Sequence, residues 1–307
     1  MTWMSVLPGA LSVLPWSRVI TEFATFLGYF GIFGALGFRA VVMRAPARGN
    51  EALSGLALIG APARRRAAGI GCAAVLLLIP GLSGGKEANI VAISLAAVVL
   101  VAFTLAARGV RGAWVGAGVT ALAFAFQSIT KGKWLALVNP LHMVAASLWL
   151  GTLFVFVAAG LSVMLSGALP REQRGPLVAR MVARFSVLAL CASAVLFSTG
   201  LVTAWVHLKF LAALWTTAYG QTLLVKLGVV AVVASVGAYN WRRLTPRLGG
   251  ESAAFALRRS SSVELGVALL VLVVTAVLVT VPSPKPPQAP ALPEGPAGRP
   301  TAALPQR

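Results

Sequence analysis

Eight stretches of this chain stay apolar for long enough to cross a lipid bilayer. A hydrocarbon core about 30 Å thick takes about 20 helical residues. By that measure spans are expected from Val19 to Val42, Ala67 to Leu82, Ala88 to Ala107, Ala113 to Ile129, Pro140 to Leu165, Phe185 to Val206, Gln221 to Trp241 and Val263 to Val281. The second and fourth are short, and Pro80 falls near the end of the second. All are too long for barrel strands, and a helix satisfies its own backbone in lipid. The pattern therefore predicts an all-α fold, a polytopic membrane helical bundle of about eight transmembrane helices.

Composition reinforces this reading and charge orients it. Hydrophobic residues make up 58% of the chain and charged ones 11%, against about 25% charged in a soluble domain. Twenty-six Lys and Arg face seven acidic residues, all Glu, for a net charge of +19. On a polar face such an excess would indicate nucleic acid. Here the basic residues sit in short clusters between apolar runs, so no nucleic-acid role is expected. Seventeen of them fall after the odd-numbered spans, among them Arg39, Arg44, Arg64, Arg65, Arg66, Arg108, Arg111, Arg180, Arg184, Arg242, Arg243 and Arg259. The excess of positive charge marks cytoplasmic loops, which puts both termini outside.

The chain divides on this basis into an interfacial segment at 1–18, a four-helix half at 19–129, a second four-helix half at 130–282, and a Pro-rich external tail at 283–307 expected to be disordered. The first 16 residues lack a positive n-region, so no signal peptide is expected. Cys72 and Cys191 both lie in apolar runs and offer neither a disulfide framework nor a CxxC motif.

Few residues can carry chemistry. The two histidines, His142 near the start of the fifth span and His207 at the end of the sixth, are expected at one depth on the outer side. Imidazole binds copper, zinc and haem iron, and the Met143 thioether beside His142 favours Cu(I). The plainer reading makes each histidine an interfacial side chain. Trp149, seven residues after His142, falls on the same helical face and could wall a site, whereas Gly151 reads as a helix-packing residue. Tyr219, Lys226 and Asn240 are spaced by 7 and 14, a polar stripe on one face of the seventh span. Lys226 is expected to face the bundle or a hydrated path, or else to snorkel outward; Glu264 reads as a salt-bridge residue. With no HExxH, phosphate loop, CxxC or paired carboxylates, no enzyme is expected.

The string "STGLVTAWVHLKFLAALWTTAYGQTLLVKLGVVAVVASVGAYNWRRLTPRL", the following "LRRSSSVELGVALLVLVVTAVLVTVPSP" and the earlier "LHMVAASLWLGTLF" resemble the copper resistance D (CopD) family of bacterial inner-membrane proteins. Matching positions are His142, Trp149, Gly151, Gly200, Tyr219, Gly220, Lys226, Asn240, Arg242 and Glu264. The resemblance implies a multi-pass protein of the bacterial plasma membrane that handles copper, commonly paired with a periplasmic CopC-type copper-binding protein. Combined with the residues above, it predicts copper transport through an outer site of His142, Met143 and His207, with Trp149 and Tyr219 along the path. Two other readings stand beside it: a b-type haem electron-transfer protein with His142 and His207 as axial ligands, and a non-transporting assembly partner of a copper protein.

Overall fold

A computed structural model of the chain describes residues 15–44, 52–83, 89–127, 134–164, 166, 170–208, 212–216, 218–239 and separate positions between 266 and 277. The 1–14 segment, the Pro-rich tail, Asn240 and Glu264 lie outside the described residues. Every regular element among the described residues is helical. Helix α1 spans Trp16–Gly37 and continues into a π turn, Phe38–Val42; α2 spans Ala52–Leu76, α3 Ile79–Ser83, α4 Ile90–Ala107 and α5 Ala113–Phe126. Next, α6 (Val138–Ala146) passes through a π turn (Ser147–Gly151), the short α7 (Thr152–Val155) and a second π turn (Phe156–Leu161). Helices α8 (Arg171–Leu208), α9 (Ala213–Thr216) and α10 (Ala218–Tyr239) complete the order.

Five of the helical stretches are long and apolar enough to cross a membrane: Trp16–Val42, Leu58–Leu82, Ile90–Ala107, Val138–Leu161 and Gln173–Val206. Two expected spans begin earlier than the hydropathy pattern predicts. Helix α2 starts at Ala52 and carries Arg64, Arg65 and Arg66, and α8 starts at Arg171 and carries Arg174, Arg180 and Arg184. The hydropathy pattern places these arginines in loops because they end the apolar runs. Arginine is nonetheless a good helix former, and its long stem lets a helix leave the bilayer without unwinding.

The core follows from small residues. Ala63, Ala67, Ala68 and Ala74 of α2, Ala92, Ala96, Ala102 and Ala106 of α4, and Ala117 and Ala121 of α5 are all buried. Helices cannot use a hydrophobic driving force against apolar lipid, so they associate by close backbone approach across such positions. Phe103 closes this layer, its ring lying edge-on to Trp114 at 5.8 Å and over Gly71. Large apolar side chains lie on both sides of this packing: Phe38, Phe103 and Phe156 are buried, and Ile90, Val115, Leu190, Phe197 and Trp205 are exposed. An exterior this apolar matches a surface made for lipid.

Helix α1 is the central member, packing on α2 and against the π turn and α7. Its glycines repeat at 28, 31, 34 and 37, and all four are buried. At Gly34 an added Cβ would overlap the carbonyl of Gly151, and one at Gly151 would overlap the carbonyl of Phe30. The two backbones are in direct contact there. Gly151, expected to serve packing, stands at this crossing.

At the arginine-bearing end the elements are tied by polar bonds. Arg66 donates to Ser162 Oγ at 2.9 Å, joining α2 to the end of the fifth span. Arg184 of α8 donates to the carbonyl of Arg44, just beyond α1.

Candidate functional site

The opposite end of the bundle, where α1 and α6 begin, holds His142. It lies in the second turn of α6, against the last third of α8. Its Nδ1 is 3.0 Å from Thr199 Oγ1, and its Cε1 lies 3.3 Å from where a Cβ on Gly200 would be. Thr199 thus supplies a polar anchor and Gly200 leaves the room an imidazole needs. Both follow from the consecutive Ser-Thr-Gly at 198–200.

The bonds of Thr199 favour one sharing of protons with the neutral imidazole. Thr199 has one hydroxyl proton, and its oxygen is 2.7 Å from the Val195 carbonyl, the usual back-bond of a helical threonine. With its proton directed there, Thr199 accepts, and His142 Nδ1–H donates. The ring lone pair then resides on Nε2, the arrangement in which a histidine ligates a metal while its other nitrogen is held by a fixed partner. Thr199 is itself buried, 8% exposed, so water competes poorly for this bond.

The other expected ligands sit differently. Met143, one residue on, packs against the cluster of Val19, Phe26, Leu272 and Ala276. It therefore faces α1 and the chain near 272–276, whereas His142 faces α8. His207 belongs to the last turn of α8, and its side chain lies outside the described residues. Its backbone is eight residues beyond Thr199, about 12 Å along the axis at 1.5 Å per residue. The equal depth expected of His142 and His207 is thus offset by about two turns. The estimate counted from the ends of apolar runs, while the register is set where the imidazole finds Gly200. A haem ligated by both rings needs them face to face at one level, so the offset works against that reading.

Trp149 is half-buried and sits inside the π turn Ser147–Gly151. A π turn places more residues in each revolution than an α turn, so seven residues from His142 no longer amount to two full turns. The Ser147 hydroxyl, fully buried, donates to the Met143 carbonyl at 2.7 Å. Tyr219 and Lys226 lie on α10, their side chains outside the described residues. Among the described residues no three His, Cys, Asp or Glu side chains group as a metal site. Cys72 lies near Thr104 Oγ1, with Sγ at 3.7 Å, and Cys191 is exposed on α8.

Two features escaped the sequence reading. Thr199 was indistinguishable from the other helical Ser and Thr residues, since its meaning depends on which ring faces it. Glu22, an acid in the second turn of the first span, carried a legible signal, because charges within apolar spans mark function.

Comparison with known proteins bears on the same segment. Residues 179–278 match the family model described as Copper resistance protein D, an interval that contains Thr199, Gly200 and His207. The chain is 33% identical over 156 residues to the copper transport protein CutJ of Bacillus subtilis (strain 168). That alignment covers 49% of this chain and 26% of the relative, so the chain spans about a quarter of the length of the curated relative it matches. No solved structure matches.

Proposed function

We propose, from the premise that residues 179–278 belong to the copper resistance protein D family, that this chain carries copper across the bacterial plasma membrane. His142 is the ligand at which the ion is taken up. The observation that carries the reading is the seat of His142: a half-buried imidazole at the end of a helical membrane bundle, with Nδ1 in hydrogen-bond contact with Thr199. Thr199 and Gly200, which form that seat, lie in the family-matched segment, and His142 precedes it. The similarity to a protein named for copper transport supports copper as the cargo.

In this reading the bundle has eight spans in two four-helix halves, 19–129 and 130–282, with both termini on the periplasmic side. His142 then opens to the periplasm, where a CopC-type carrier would deliver copper. Met143, on the face toward α1, and His207, about two turns farther along α8, are donors at the same end that would take the ion in succession with His142 rather than surround it together. Trp149, Tyr219 and Lys226 border the path, and Asn240 and Glu264 belong to its polar lining. A fixed ammonium at Lys226 would oppose a cation and so act as a gate on rate. Imidazole and thioether suit copper better than hard cations, which prefer oxygen.

The test is whole-cell copper at fixed external copper. Cells expressing the chain are compared with cells expressing a His142→Ala, His207→Ala double variant present in the membrane at equal amount. A change in copper content with the intact chain, lost in the double variant, is expected; a rise identifies uptake and a fall identifies export. Equal copper in both would overturn the histidine site.

A further inference from the structure

A second polar site lies in the other half of the bundle. A cavity of about 670 Å³ opens among α1, α3, the start of α4 and the end of α5. Its polar lining includes Arg18, Glu22 and Thr25 of α1, with Asn89 before α4 and Gln127 after α5. That volume falls in the range of about 300–1,000 Å³ typical of small-molecule sites. No histidine, cysteine or methionine is among its described lining residues, so its chemistry differs from that of a soft-metal site.

Three observations define what it would hold. The first is charge: Arg18 and Glu22 are one helical turn apart and border the same cavity. Side chains four residues apart on a helix are neighbours, with Cβ atoms about 5–6 Å apart. An acid and a base at that spacing match a ligand carrying both signs. The second is the backbone. The chain leaves the helix at Leu77 and Leu78 and re-enters it at Ile79, with Pro80 and Gly81 on the cavity wall. Pro80 has no N–H for the carbonyl four residues earlier, so the last turns of the second span depart from the regular helical ladder beside the cavity.

The third is the direction of the polar groups. The Thr25 hydroxyl donates to the Thr21 carbonyl at 2.9 Å, which leaves its lone pairs as acceptors. The Asn89 carbonyl oxygen caps α4 through the Ala92 N–H at 3.1 Å, which leaves its amide protons as donors. Tyr29 and Phe124, in ring contact at 5.7 Å, supply an apolar wall.

We propose that this cavity binds a small zwitterion bearing a phosphate and an ammonium, of the phosphoethanolamine type, with Arg18 on the phosphate and Glu22 on the ammonium. The ligand is either the headgroup of a zwitterionic lipid or the free phosphoester. This inference goes beyond the copper reading and does not depend on it.

The test uses the full chain, purified in detergent, and follows its thermal unfolding as dihexanoyl phosphatidylethanolamine, dihexanoyl phosphatidylglycerol or free phosphoethanolamine is titrated in. A saturable rise with the ethanolamine lipid, at least ten-fold tighter than with the glycerol lipid, is expected. Arg18→Gln and Glu22→Gln should each weaken it at least ten-fold. A matching rise with free phosphoethanolamine identifies a soluble ligand, and its absence identifies the lipid. Equal response to both lipids, or no change with Glu22→Gln, would overturn the zwitterion site. Should either variant fail to fold, native mass spectrometry of the unaltered chain in an equimolar mixture of the two lipids decides, with equal retention overturning the proposal. Copper content of the cells is a separate readout, so either reading can fail without the other.

Discussion

Two helix crossings in this bundle are both built on glycine and do opposite things. At Gly34 and Gly151 the missing side chains let α1 and the fifth span touch backbone to backbone. At Gly200 the missing side chain admits the imidazole of His142. The first notch is filled by main chain, which is chemically closed. The second is filled by a ring whose Nδ1 is engaged by Thr199. Glycine in a membrane helix therefore makes room, and the group that enters decides whether the room is structural or chemical.

The comparison is broken most sharply by filling the first notch. Gly151→Leu puts a branched side chain into the Phe30 carbonyl, and an interior that cannot yield loses about 1–3 kcal/mol or more. We expect loss of the folded chain from detergent extracts, measured by size-exclusion profile and thermal unfolding, with copper handling lost as a consequence. A stable, monodisperse Gly151→Leu protein would show that α1 and the fifth span do not cross there.

The second notch should respond in function before stability. Thr199→Val keeps shape but removes the partner of Nδ1, and loss of such supporting hydrogen bonds typically costs about 10–100-fold in metal affinity. Copper affinity of the purified protein should fall in that range with thermal unfolding little changed, and Thr199→Ser, which restores the hydroxyl, should recover most of it. A parallel loss in Ser and Val variants would assign Thr199 to packing alone.

The smallest effect is expected at Gly200→Ala. The new methyl would meet the His142 ring at 3.3 Å, a contact tighter than usual but one that a small ring movement relieves. Copper affinity should drop several-fold with little change in unfolding temperature. Comparison with Gly151→Ala, where the obstacle is the Phe30 backbone, sharpens the contrast: that variant should lose stability.

Much of the fold was legible because its cause is local. Hydropathy over a window of about 20 residues located the five helices that are long and apolar enough to cross a membrane among the described residues. The helix ends were less legible. Arg64 to Arg66 and Arg171 to Arg184 terminate apolar runs but not helices, since the main-chain ladder continues beyond lipid wherever residues favour it. Of the site, His142 was visible as a rare residue type, and Gly200 as a position of the family resemblance with no role attached. Thr199 could not be distinguished, because a helical threonine normally spends its hydroxyl on its own backbone. Met143, adjacent in sequence, turned out to face another neighbour, because consecutive positions on a helix point about 100° apart.

Composition and periodicity by themselves determined that this chain is a helical membrane protein and which of its residue types could in principle ligate a metal. Each depends on chemistry within one segment and its transfer between water and lipid. Only the tertiary structure decided that His142 meets Thr199 and Gly200 two turns from the level of His207, that Gly34 and Gly151 mark a backbone contact, and that Arg18 and Glu22 share a cavity with a broken helix. Those outcomes depend on the register between helices, and register is set where a large group finds the one notch that fits it, a match between positions distant in the chain.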